Sequence, residues 1–120
     1  MTLLVPKLIL KHDGVNLRTY PLQAETVTLG RKPDNDIQID DAAISGHHAR
    51  FVKQPSEYLE DHFDVYIEDL GSTNGTRVNE AAVDRQLLKH GDTIQIGKHS
   101  FTFDSGQSDL DETAFYLPDS

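Results

Sequence analysis

Gly71-Ser72-Thr73-Asn74-Gly75-Thr76-Arg77-Val78-Asn79 opens with turn-forming residues, Gly71 to Gly75, that follow the β-rich stretch 63–68 and lead into a second one at residues 76–78. Its Asn74-Gly75 pair supplies the positive φ angles that a two-residue turn demands. Outward from this turn the same alternation repeats in both directions. Short strands are expected over residues 7–11, 17–22, 26–29, 37–39, 48–53, 93–96 and 101–104, with a shorter one near Ala82-Val83. His12-Asp13-Gly14 and Ile96-Gly97-Lys98 read as tight hairpins, whereas residues 54–62, with Pro55, Ser56 and several carboxylates, read as a longer loop inserted in a hairpin. Helical periodicity is poor throughout. The fold class is therefore all-β, a sandwich or barrel.

A chain of 120 residues is the size of one ordinary domain and buries a core without staples. Cys is absent, which excludes a disulfide framework, a thiolate nucleophile and a thiolate zinc site, so the expected location is the cytoplasm. Leu3-Leu4-Val5 is cut by Pro6-Lys7, far short of a signal-peptide core or a membrane span, and Met1 close to the first strand favours a natural N-terminus. Asn74-Gly75-Thr76 matches a glycosylation acceptor in form only. The formal net charge of −9 argues against nucleic-acid binding and against anionic membranes. Part of that excess belongs to residues 105–120, where Asp109, Asp111, Glu112 and Asp119 stand without Lys or Arg. This stretch is expected to be a flexible acidic tail, with the apolar cluster Ala114-Phe115-Tyr116-Leu117-Pro118 as a strand remnant, a linker or a docking segment. An anionic ligand would need a local cationic patch, for which Arg31, Lys32, Arg50 and Arg77 are the candidates.

Four fragments stand in order with short gaps: Gly30-Arg31, Asn35-Asp36-Ile37, Ile44-Ser45-Gly46-His47-His48-Ala49-Arg50, and the Gly71 to Asn79 run. A fifth follows, Leu88-Lys89-His90-Gly91-Asp92-Thr93-Ile94-Gln95-Ile96-Gly97. Together they resemble the forkhead-associated (FHA) domain over residues 27–103, within a domain expected to span 1–104. The resemblance implies a sandwich of two antiparallel sheets, about eleven short strands, with binding loops at one end. It also implies a module that reads phosphothreonine in partner proteins, a Ser/Thr protein kinase or its substrate, without cofactor, metal or catalytic activity.

Phosphothreonine carries nearly two negative charges and three strong acceptor oxygens, so a reader needs Arg plus hydroxyl, amide or backbone donors converging from several loops. By resemblance, Arg31 and Ser45 match the family's phosphate-binding Arg and Ser, Thr73 the hydroxyl beside the phosphate, and Asn74 the Asn that grips the ligand backbone. His48 matches a structural His that braces the loops, and Gly30, Gly75, Asn79, Gly91 and Asp92 match turn-shaping positions. Gly46 departs from the family, which often has Arg, Lys or Asn there. Its backbone N–H can still donate, and His47 is expected to substitute in part, with Arg77 as a second auxiliary cation.

Other readings of the same residues stay open at this level. Arg31 can pair with Asp34 or Asp36, Ser45 can be a turn hydroxyl, and Ser72-Thr73-Asn74-Gly75 an ordinary hairpin cap. A metal on His47-His48 is disfavoured, because adjacent strand residues face opposite ways, and His12, His62, His90 and His99 show no ligand spacing. The Asp34, Asp36, Asp40, Asp41 cluster lacks the Gly and terminal Glu of a calcium loop. No Walker loop, dinucleotide fingerprint or Gly-x-Ser-x-Gly elbow is present, and Ser45 lies three residues from His48 without a defined oxyanion site. Two further functions compete with phosphate reading alone: a scaffold that assembles independently of phosphate, and a switch in which phosphorylated Thr113 folds back into the Arg31 site.

Overall fold

The computed structural model describes residues 5–56 and 63–106. Eleven strands follow in chain order: β1 Lys7–His12, β2 Val15–Pro21, β3 Thr26–Gly30, β4 Ile37–Gln38, β5 Ala49–Pro55, β6 Phe63–Asp69, β7 Thr76–Val78, β8 Ala81–Ala82, β9 Arg85–Leu87, β10 Thr93–Ile96 and β11 His99–Asp104. They form a six-stranded sheet in the order β2-β1-β11-β10-β7-β8 and a five-stranded sheet in the order β4-β3-β5-β6-β9. All pairings are antiparallel except β3 with β4, joined over Leu29↔Ile37 and Gly30↔Gln38. The second sheet is therefore mixed at one edge. Among the described residues no helix is long and apolar enough to cross a membrane.

Alternation along the strands places one apolar face of each sheet inward. Leu8, Ile94, Ile96, Phe101 and Phe103 come from the larger sheet, and Val27, Leu29, Phe51, Val65 and Ile67 from the smaller one, all buried. The hairpin at Asp13-Gly14 has positive φ at both residues, 52° and 77°, and Gly97 turns β10 into β11 with φ 61°. A second tight turn, Asn79-Glu80 with φ 51° and 74°, joins β7 to β8.

The Asn74-Gly75 turn takes another form. Only Gly75 has positive φ, 86°, and β6 and β7 belong to different sheets. Residues 70–75 form a crossover between layers, not a hairpin tip. Gln54 and Pro55 extend β5, opposite Asp64 and Phe63 of β6, so the expected loop begins later; residues 57–62 lie outside the described ones, as do Thr113 and the cluster 114–118. The strand expected at Ala82-Val83 is β8, one residue earlier. β9 was not expected, because Arg-Gln-Leu shows no strand period and is held only by pairing Tyr66↔Leu87 and Glu68↔Arg85 across to β6.

Candidate functional site

The ends of β3, β6 and β10 and the starts of β5, β7 and β11 lie at one end of the sandwich, and the segments joining them are those the sequence singled out. Two of these segments run side by side. Arg31 N–H donates to the Ser45 carbonyl at 3.0 Å and Lys32 N–H to the Gly46 carbonyl at 3.2 Å. Asn35, only 7 % exposed, clamps this rail from below: its Nδ2 donates to the Lys32 carbonyl at 2.8 Å and to the Gly46 carbonyl at 2.7 Å. Gly30 is required by the same contact, since a Cβ there would run into the Gly46 carbonyl and come within 2.7 Å of Asn35 Nδ2.

The ion pair weighed for Arg31 does not form. Asp34 is taken by His47, whose Nε2 lies 3.0 Å from both carboxylate oxygens, and this hydrogen bond holds the Asp34 carboxyl below its ordinary 3.8. Asp36 instead accepts the Thr28 N–H at 2.9 Å. Among the described residues the exposed Arg31 guanidinium has no partner.

His48 is fully buried and ties three segments together. Its Nδ1 accepts the Ser45 N–H at 3.1 Å, which puts the ring proton on Nε2, and Nε2 donates to the Gly75 carbonyl at 2.9 Å. Ser45 and His48 are thus no nucleophile and base: the ring meets the Ser45 backbone, while Ser45 Oγ accepts the Thr73 N–H at 3.0 Å. His47 and His48 point apart as expected, although both precede β5.

The crossover 70–75 is built on Asp69. One carboxylate oxygen accepts the N–H groups of Gly71 and Ser72, both at 3.0 Å; the other accepts the hydroxyls of Ser72 at 2.6 Å and Thr76 at 2.7 Å. Burial opposes ionisation of Asp69, but these hydrogen bonds outweigh it and hold its pKa below 3.8. Asp41 does the same for the facing loop, accepting the Ala43 N–H at 2.8 Å and pairing with His99 Nε2 at 3.0 Å, with its pKa lowered by those two contacts. Asn74 Nδ2 then donates to the Ala43 carbonyl at 2.8 Å, which joins the two loops and leaves its amide oxygen without a partner among the described residues.

One rim of the molecule therefore presents the guanidinium of Arg31, the hydroxyls of Ser45 and Thr73, the Gly46 N–H and the Asn74 amide oxygen, none of them engaged as a donor or acceptor among the described residues except Ser45 Oγ, which accepts the Thr73 N–H and keeps its own proton to donate. Chemically this is a donor cluster for an anion, with an acceptor beside it for an N–H group. Arg77 stands apart on β7, opposite Gln95, where it lines a concavity of about 270 Å³ with Asn74, Gly75, Gln95 and Gly97. Arg50 drops out of the cationic patch, because Glu68 takes it at 2.6 Å and Arg85 at 3.0 Å. Among the described residues no three His, Asp or Glu side chains converge as a metal site. Asn79 works from the far end of β7, where its side chain bonds Asp92 at 2.9 Å and the Thr93 N–H at 3.0 Å.

Asp69 was not singled out from the sequence, although Asp69-Leu70-Gly71-Ser72 carries the signature of an Asp side chain capping the N–H groups two and three residues on. Asn35 belongs to a motif fragment and Asp41 to an acidic cluster, neither with the bracing role found here. The family model for the FHA domain matches residues 27–97. An oxoglutarate dehydrogenase inhibitor of Corynebacterium jeikeium is 39% identical over 90 residues, 75% of this chain and 58% of that protein, so the chain spans less than two thirds of this curated relative. Among solved structures, Mycobacterium tuberculosis EmbR in complex with a low-affinity phosphopeptide superposes with a TM-score of 0.73 at 37% identity, covering 84% of this chain and 24% of that one. A structure from a study of phosphothreonine-dependent FHA domain interactions gives 0.68 at 29% identity, covering 83% and 95%.

Proposed function

Because the chain belongs to the FHA domain family, we propose that it is a non-catalytic module that captures phosphothreonine in partner proteins, in the manner of an adaptor in a Ser/Thr kinase pathway. The observation that carries this reading is the Arg31 guanidinium, without a partner among the described residues, on a rail whose Ser45 hydroxyl is already positioned by the Thr73 N–H. A phosphate placed there meets Arg31, the Ser45 and Thr73 hydroxyls and the Gly46 N–H, while the Asn74 amide oxygen accepts a ligand backbone N–H. His48, Gly30, Asn35, Asp41 and Asp69 hold these groups without touching ligand. Such preorganisation lowers the entropic cost of binding.

The partners are threonine-phosphorylated proteins, a Ser/Thr kinase or its substrate, and the binding unit is residues 1–104 with 105–120 as an appended tail. A cytoplasmic location fits the cysteine-free sequence. Hydrogen bonds to charged groups contribute about 1.5–3 kcal/mol each, so Arg31→Ala removes most of a micromolar-scale affinity. Fluorescence anisotropy with a labelled degenerate phosphothreonine peptide, its phosphoserine counterpart and its unphosphorylated twin tests the reading. Binding of the phosphothreonine form alone, lost in Arg31→Ala, is expected. Equal binding of phosphorylated and unphosphorylated peptides would instead assign the domain to phosphate-independent assembly.

A further inference from the structure

Resting on the phosphate-binding reading of this rail, we infer that Lys32 supplies the charged contact that Gly46 cannot make, so that the site is completed by a cation reaching across from the neighbouring loop. Lys32 and Gly46 sit opposite each other, joined by the Lys32 N–H to Gly46 carbonyl bond at 3.2 Å and by Asn35 Nδ2, which donates to both carbonyls. The Lys32 stem lies over the bare α-carbon of Gly46. A Cβ built at Gly46 would stand 3.0 Å from Lys32 Cε and 3.2 Å from Cδ and Cγ. The absence of a side chain at position 46 is therefore what gives the lysine its place.

Lys32 is exposed, and its ammonium forms no ion pair among the described residues. The nearby carboxylate, Asp34, feels the lysine's charge, but the hydrogen-bonded partner of both its oxygens is His47 Nε2 at 3.0 Å. That same bond ties His47 Nε2 to Asp34, while the Lys32 stem lies directly over Gly46. A flexible ammonium binds phosphate as a point charge without needing the fixed fork of an Arg, so delivery from the adjacent loop meets the geometric demand. Arg31 and Lys32 then approach the phosphate from one side, and the Gly46 N–H and the Ser45 and Thr73 hydroxyls from the other segments.

The test is a cycle of variants in the full chain, Lys32→Gln, Gly46→Arg and the two together, titrated calorimetrically with a degenerate phosphothreonine peptide. Wild type and Arg31→Ala run alongside, and an amide NMR spectrum of each confirms the fold. Lys32→Gln is expected to weaken binding about tenfold, and Lys32→Arg to keep it within about threefold of wild type. Gly46→Arg is expected to raise affinity by a larger factor in the Lys32→Gln background than in the wild-type background, because there the arginine restores a charge that has been removed. Gly46 has no positive φ, so an Arg there is conformationally allowed. Lys32→Gln binding within about twofold of wild type would overturn the inference, as would Gly46→Arg strengthening binding by the same factor in both backgrounds. If Arg31→Ala binds as well as wild type, the phosphate reading itself fails, which is a separate result.

Discussion

Replacing Asp69 with Ala removes an acceptor that takes two N–H groups at 3.0 Å on one oxygen and the hydroxyls of Ser72 and Thr76, at 2.6 and 2.7 Å, on the other. The donors are not equal. Gly71 is exposed and Ser72 partly so, and their N–H groups recover water once the carboxylate is gone. Thr76 is 1 % exposed, and its hydroxyl is stranded. Counting about 1–3 kcal/mol for the stranded hydroxyl and a fraction of the 1.5–3 kcal/mol of each charged hydrogen bond for the rest, Asp69→Ala costs roughly 3–5 kcal/mol. Asp69→Asn keeps a carbonyl for the two N–H groups, and its NH₂ donates to hydroxyls that rotate to accept, so it costs about 1–2 kcal/mol. At roughly 4–8 °C per kcal/mol for a domain of this size, the Ala variant melts about 12–40 °C lower and the Asn variant about 4–16 °C lower. Scanning calorimetry at neutral pH reads both. An Ala variant within about 1 kcal/mol of wild type, or an Asn variant as costly as Ala, would refute the claim that this carboxylate organises the crossover. The pH dependence has a fixed sign. The folded pKa of Asp69 lies below its ordinary 3.8, so its contribution is complete above that value and drains as pH falls through the folded pKa, and Asp69→Asn removes this part of the acid sensitivity.

Gly30→Ala drives a methyl group into the Gly46 carbonyl and Asn35, and is expected to destabilise by about 1–3 kcal/mol and weaken phosphopeptide binding, read by thermal melts and anisotropy. His48→Ala opens a buried cavity and orphans the Ser45 N–H and the Gly75 carbonyl, and urea denaturation is expected to show a loss of about 3–5 kcal/mol. Arg50→Ala breaks a half-exposed pair with Glu68 that Arg85 shares; calorimetry is expected to show phosphopeptide affinity unchanged and stability altered by about 0–1 kcal/mol.

The sandwich was legible because its strands alternate and its turns use residues with one conformational meaning. At Asp13-Gly14 both residues take the left-handed conformation that the two-residue hairpin requires. The same logic misread Asn74-Gly75, since whether the flanking strands pair with each other or join different sheets is decided by the whole core and not by four residues. β9 and the parallel β3–β4 pair escaped for a related reason: each is two or three residues long and exists through a neighbour's ladder. Arg31, Ser45, Thr73 and Asn74 were legible as a motif, and the structure brings their segments together. Arg50 was misjudged because its partner Glu68 lies 18 residues away on the adjacent strand. Asn35 and Asp69 hold the site through contacts that sequence neighbours only partly announce, and Lys32 acquires its place from a glycine on another loop.

The most direct measurement of the central claim is an NMR titration of the full chain with a degenerate phosphothreonine peptide, following the backbone amides. Large, saturating shifts are expected at Arg31, Lys32, Ser45, Gly46, Thr73 and Asn74, none of them with the unphosphorylated peptide, and little change along β2 or β9. Shifts centred on a sheet face, or equal responses to both peptides, would contradict that claim.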